Sequence, residues 1–194
     1  MIYPSTLNLT VLQDSTFEQD LIITEAAKTA TLNDATNVIT SPCHGLVAND
    51  RVAVGVEDGE MPCGLVAGEA YYVLASGLTS GAFKLSSSSG GSEIDFTVLT
   101  TAATYYVGKV IDLTNYTFDS DIRSNFGEAL AGTFVCTATG PAAGRLRLSM
   151  TAVLTSALAQ GNYVWDLKLK TASYDYYYAK GTLTVNSTVS RDAS

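Results

Sequence analysis

The chain has 194 residues, 46% of them hydrophobic and 15% charged, so it holds ample apolar material for a core and too little charge for a disordered chain. Eleven Lys and Arg against nineteen Asp and Glu leave a formal charge of -8, which repels phosphate backbones and anionic lipid surfaces and argues against nucleic acid or membrane as a partner. No apolar run approaches the roughly 20 residues of a membrane helix, and no basic segment with an apolar core opens the chain, so a soluble protein without a secretion signal is expected. The length fits one large or two small domains. Cys43, Cys63 and Cys136 are an odd, sparse set, which points away from a disulfide framework and toward a reducing cytoplasm.

Strand and turn formers dominate from the first residues onward. Leu7, Leu9 and Val11 alternate with Asn8 and Thr10, and Phe17, Gln19, Leu21 and Ile23 follow after a break, which predicts two opening strands. The next stretch, residues 30–109, differs in composition: it is rich in Gly and Ser and includes Ser86–Ser89 followed by Gly90 and Gly91. It reads as an insertion with short strands at 51–56, 71–74, 82–85 and 94–99. Val52, Val54, Leu65, Tyr72, Leu74, Phe83, Leu85, Ile94 and Phe96 are its predicted core, enough for a small β-barrel or β-roll. Within it, Cys43-His44-Gly45-Leu46-Val47-Ala48 is echoed by Cys63-Gly64-Leu65-Val66-Ala67, which marks two similar turns preceding strands.

After the insertion, Tyr116, Phe118 and Ile122 share one face of a strand and Thr117, Asp119, Asp121 and Arg123 the other. Phe134 and Cys136 point inward in the next strand. Past the turn at 140–144, Leu146, Leu148 and Met150 alternate with Arg145, Arg147 and Ser149. The only helix-like stretch, 151–160, is short and ends at Gly161, so it reads as a crossing turn. Tyr163, Trp165, Leu167 and Leu169 then alternate with charged residues, and Leu183 and Val185 mark a final strand. Tyr163 is placed like the corner tyrosine of Greek-key sandwiches, whose hydroxyl bonds back to nearby backbone.

The segment Ile111-Asp112-Leu113-Thr114-Asn115-Tyr116-Thr117-Phe118, with Ile122 and Arg123, resembles a strand of the immunoglobulin-like domain in structural proteins of tailed bacteriophages. That domain is similar to the N-terminal part of baseplate upper proteins, which link a phage baseplate to its receptor-binding proteins. The resemblance continues through Gly140–Leu148, Thr155–Tyr163, Trp165–Leu169 and Gly181–Arg191. The insertion resembles a β module of phage tail and fibre proteins, at His44–Val52, Pro62–Val73 and Phe83–Leu85. The resemblance implies an all-β fold: an immunoglobulin-like antiparallel β-sandwich of residues 1–29 and 110–194, carrying an inserted small β-barrel or β-roll of residues 30–109. It implies a non-enzymatic virion protein, made in the bacterial host cytoplasm and acting as a tail or baseplate adaptor between tail components and fibres or receptor-binding proteins. A capsid decoration protein on the major capsid protein is the alternative, and a carbohydrate-binding receptor module a second one. A homo-oligomer, a trimer in the particle, is expected because sandwich edges must be covered and virions are symmetric.

Chemistry is sparse. Cys43 and His44 are neighbours whose side chains point apart on an extended backbone, which does not suit a nucleophile pair. Cys43, His44, Cys63 and Cys136 lack metal-ligand spacing, so neither a metal nor a cofactor is expected. Asp119 and Asp121 could hold calcium or act as paired carboxylates, but alternating charge that includes Arg123 reads as a solvated face with a local ion pair. Gly90 and Gly91 have no lysine or helix after them and form no phosphate loop. The sharpest feature is Tyr174-Asp175-Tyr176-Tyr177-Tyr178, where a hairpin should join the last two strands. On a regular strand Tyr174, Tyr176 and Tyr178 line one face and Tyr177 the other, a candidate protein interface; core packing and sugar stacking are the competing readings.

Overall fold

The computed structural model describes residues 5–99 and 103–188, and among them the protein is all-β. Three strands open the chain: β1 (Ser5–Thr6), β2 (Leu9–Leu12) and β3 (Phe17–Ile22). Next come β4 (Lys28–Asn33), β5 (Val38–Thr40), β6 (Arg51–Val56), β7 (Tyr71–Val73), β8 (Ala82–Phe83), β9 (Leu85–Ser86) and β10 (Tyr105–Lys109). The rest are β11 (Thr117–Asp119), β12 (Asp121–Arg123), β13 (Leu130–Thr133), β14 (Val135–Gly140), β15 (Arg145–Met150), β16 (Gly161–Lys170) and β17 (Asp175–Asn186). A single six-residue helix among the described residues, α1 (Ala152–Ala157), lies between β15 and β16. The chain divides into two compact units, one of Met1–Leu21, Thr114–Thr139 and Leu146–Ser194, the other of Ile22–Leu113 and Gly140–Arg145.

In the first unit β17 is the spine of a seven-stranded sheet. β16 runs antiparallel along it from Gly161↔Val185 to Lys170↔Asp175. β11 and β12 extend the sheet beyond β16, and β13 lies outside β12. On the other side β1 and β2 pair with β17 in parallel, a departure from a purely antiparallel sandwich, because the chain start runs alongside the last strand in the same direction. A second sheet has the order β14-β15-β3. Phe134 stands between Phe17 of that sheet and Trp165 of the larger one, with ring centroids 5.5 and 5.7 Å away, so the two sheets meet at an aromatic centre. Leu146, Leu148 and Met150 are buried and alternate with half-buried neighbours, as the period of two predicts. Thr151 caps α1, accepting the Leu154 amide at 3.4 Å, and the Tyr163 hydroxyl donates to the Ala159 carbonyl at 3.0 Å in the expected corner arrangement.

The second unit is one sheet in the order β8-β5-β4-β10-β6-β7-β9. Its two ends, β8 and β9, are separated in the chain by Lys84 alone, so the sheet curls into a nearly closed barrel. Inside lie Ile39, Val52, Val73, Phe83, Leu85 and Phe96. The predicted core is off by one residue in β7: Tyr71 and Val73 are buried, whereas Tyr72 and Leu74 are half-buried. Register decides this, since Val52 faces the core and pairs with Tyr71, while Arg51 pairs with Tyr72 outside. The Tyr72 hydroxyl accepts from Arg51 Nη2 at 2.6 Å and Nε at 3.1 Å. Residues 94–99 form no strand; Thr97 bridges Cys63, and the Phe96 amide donates to Asn37 Oδ1 at 3.2 Å.

The sequence echo is a structural one. Leu46 and Leu65 both enter the core, Val47 and Val66 both face out, and the amides of Asp50 and Glu69 donate to the carbonyls of Val47 and Val66. The division between units falls before Ile22 and after Leu113, outside the 30–109 stretch expected, because residues 23–25 pair with 109–111 through Thr24↔Val110, Ile111 N–Ile23 O and Glu25 N–Lys109 O. The turn at 140–145 counts with the second unit, where the Ile23 amide donates to the Gly144 carbonyl at 2.8 Å. Arg191, which closes the last resemblance motif, lies outside the described residues.

Gly181 marks the tightest approach in the first unit. A Cβ there would sit 1.9 Å from the Leu7 carbonyl oxygen, the same oxygen that accepts the Trp165 indole hydrogen at 3.0 Å. Gly181→Ala is therefore expected to lower unfolding free energy by roughly 2 kcal/mol or more, measured by denaturant titration. Gly55→Ala, in β6 with open space around its Cβ, is the control and should change stability by no more than about 0.5 kcal/mol. Equal stability of the two variants would refute the close-approach account.

Candidate interaction surface

The four tyrosines sit where the sequence placed them, at the turn end of the β16–β17 hairpin. Thr171 builds the turn: its amide donates to the Tyr174 carbonyl at 2.8 Å, and its hydroxyl accepts from the Tyr174 amide at 3.1 Å. From there Tyr176 pairs with Leu169 and Tyr177 with Lys168, but the next pair is Leu167 with Ala179. One extra residue, Tyr178, is thus accommodated in β17 as a bulge.

That bulge redistributes the rings. Tyr178 is 8% exposed and Tyr176 half-buried, whereas Tyr174 and Tyr177 are 66% and 55% exposed. The simple alternation predicted Tyr178 beside Tyr174 on one surface; instead Tyr178 belongs to the core, and Tyr174 with Tyr177 carries the exposed aromatic area. The Tyr174 and Tyr176 rings lie 6.2 Å apart and tilted. On the outer side Lys168 Nζ stands 4.9 Å from the Tyr177 ring centroid, and hydrogen bonding to the Tyr177 side chain is the main reason its pKa is raised.

Tyr177 also borders a shallow hollow of about 200 Å³ on the outer face of the seven-stranded sheet. Phe126, 74% exposed, stands on its rim, and Asp121, Arg123 and Asp166 line it. Arg123 Nη2 binds Asp121 Oδ2 at 2.8 Å, while Asp166 Oδ1 is buried with no hydrogen-bond partner among the described residues. Sequence reading missed Phe126 and Asp166. Asp166 was findable, because Val164, Asp166 and Lys168 are the outward set of the alternation that buries Trp165 and Leu167. Phe126 sits in a loop that carries no periodicity.

Elsewhere the candidate chemistry disperses. Asp119 pairs with Lys170 at 2.5 Å and Asp121 with Arg123, so the two carboxylates serve separate cations on a solvated face. His44 Nδ1 accepts the Leu46 amide at 2.9 Å and is unavailable to activate the adjacent Cys43 thiol. Among the described residues no group of three or more His, Cys, Asp or Glu gathers as a metal site. All three cysteines are free, Cys43 and Cys63 exposed. Burial, helped by the Asp119 charge, pushes the Cys136 thiol up to about 12.

No protein-family model matches the chain, and comparison with curated proteins returns no match.

The thiols supply a direct check on this surface chemistry. In native protein at pH 8, a disulfide-exchange reagent should modify Cys43 and Cys63 promptly and Cys136 only on unfolding. Cys136 keeps its proton in the folded state and releases it more readily when unfolded, so its contribution is intact below about pH 9 and is lost as pH rises toward 12. Prompt modification of all three thiols in folded protein would contradict the burial of Cys136.

Proposed function

We propose that this chain is a non-enzymatic structural protein of a tailed-phage virion, an adaptor in the tail or baseplate that docks through the aromatic tip of its β16–β17 hairpin. The observation that carries the docking surface is the pair Tyr174 and Tyr177, large rings held on a rigid hairpin and exposed to solvent. Rigid tyrosines offer contact area at little entropic cost and are enriched at interface cores. The virion setting is supported by the resemblance of the strand and turn motifs to phage structural domains. Other virion proteins of the tail, baseplate or fibre are the partners in this reading, and the chain acts as a homo-oligomer in the particle.

One observation favours carbohydrate binding as a second reading: the hollow beside Tyr177 gathers Asp121, Arg123 and Asp166 under two exposed rings, the aromatic platform with fixed polar groups that a sugar site needs.

The tyrosines separate these roles. Tyr174→Ala with Tyr177→Ala should leave stability nearly unchanged and reduce incorporation into particles, with a cost of about 2 kcal/mol or more if the rings are hot spots. Tyr178→Ala should instead destabilise the fold by roughly 3 kcal/mol, because its ring is buried. Normal incorporation of the double variant, together with loss of oligosaccharide binding, would replace the adaptor reading by the carbohydrate one.

A further inference from the structure

An edge strand presents a row of unpaired backbone N–H and C=O groups, and sheets in the first unit end in several of them. β14 is one end of the three-stranded sheet and pairs with β15 on one side only. On its other side, among the described residues, the backbone of residues 135–140 has no backbone partner.

Three other edges of this unit are guarded or short. β3, at the opposite end of the same sheet, carries Glu18 and Asp20, both bound to Arg147. β13 has four residues and joins β12 through a register shift. β1 and β2 are short pieces with a break between Thr6 and Leu9. β14 instead runs through Val135-Cys136-Thr137-Ala138-Thr139-Gly140, β-branched at every second position up to Thr139, with no proline and no charge to repel an added strand.

Burial shows the same open side. Val135, Thr137 and Thr139 are exposed, and the inward set Cys136, Ala138 and Gly140 is only half-buried, whereas Leu146, Leu148 and Met150 of the adjacent β15 are fully covered. Charge then selects the occupant. Two copies of a chain with a formal charge of -8 repel, so they can meet closely only where charge is absent. No Asp, Glu, Lys or Arg occurs between Glu128 and Arg145, a stretch that contains all of β14. A strand laid antiparallel against its own copy is self-complementary about a twofold axis, and here it sets threonine against threonine or valine, favourable cross-strand pairs.

We infer that β14 is a self-association edge, pairing antiparallel with β14 of a second copy of this chain and joining the two three-stranded sheets into one. The inference rests on the homo-oligomeric part of the proposed function and gives it a surface. An isologous edge closes at two copies, so it makes a dimer where virion symmetry led to the expectation of a trimer.

Sedimentation velocity on the full-length protein, over a concentration range up to about 0.5 mM, reads the association of a weak edge contact. The wild type should pass from monomer to dimer. Thr137→Lys and Thr137→Glu, at an exposed position, should each shift the midpoint at least about tenfold upward, because like charges then face each other across the twofold. An equimolar mixture of the two variants should dimerise again, which a misfolded variant could not do, and Thr137→Ala should behave as the wild type. A wild type that stays monomeric, a Thr137→Lys variant that dimerises normally, or a mixture that stays monomeric would each overturn the assignment. The Tyr174→Ala, Tyr177→Ala double variant separates this claim from the docking role: it should dimerise like the wild type. Loss of the dimer in that variant alone would move self-association to the hairpin tip and overturn the edge, while its incorporation into particles judges the adaptor reading independently.

Discussion

In the first unit one register shift, between Leu167 and Lys168 of β16, governs what the surface can do. Up to Leu167↔Ala179 the β16–β17 ladder is a regular spine that holds Trp165, Leu167 and Leu183 in the core. Past it, the extra residue in β17 draws Tyr178 inward and turns Tyr177 outward over Lys168. Without that bulge, strict alternation from Ala179 would put Tyr177 on the core side and Tyr178 outside. The exposed aromatic pair is thus a product of backbone geometry as much as of composition. The long ladder beneath it sets the rings at the tip of a paired hairpin, the arrangement on which the proposed docking role rests.

The second unit solves a different problem. A short, Gly-rich sheet has weak register and open edges, and curling β8 and β9 together across Lys84 removes most of that exposure. The two equivalent turns at 43–50 and 62–69 each send one leucine into the barrel and deliver the chain to β6 and β7. They differ where it matters chemically: the first carries His44, which uses Nδ1 to brace its own turn, whereas the matching position in the second is the exposed Cys63. A repeated structural solution has in this way acquired one polar asymmetry.

Much of the fold was legible because its strands are half-buried and alternate cleanly. β15 follows the predicted faces residue for residue and β16 does so from Trp165 to Lys170, while Tyr163, half-buried, makes the corner bond that its position after a turn implied. The failures have common causes. Tyr71 and Tyr72 are both plausible core residues, and only the pairing of β7 with β6 chooses between them. The same ambiguity hid the bulge, since four tyrosines in five residues present no polar position to mark a change of face. The parallel placement of β1 and β2 beside β17 joins the two ends of the chain, and local patterns contain no information about such a pairing. The hollow beside Tyr177 combines residues from β12, β16, β17 and a loop, and it exists only once the sheet is assembled.

The exposed tyrosine pair at the tip of the β16–β17 hairpin is the feature on which the proposed docking role rests. The central claim is that Tyr174 and Tyr177 are covered in the working assembly. A particle reconstruction at side-chain resolution tests it most directly. The account predicts both rings packed against a neighbouring protein chain, with Tyr178 still buried within its own unit. Density showing the two rings facing solvent, with no other chain in contact with the hairpin, would contradict it.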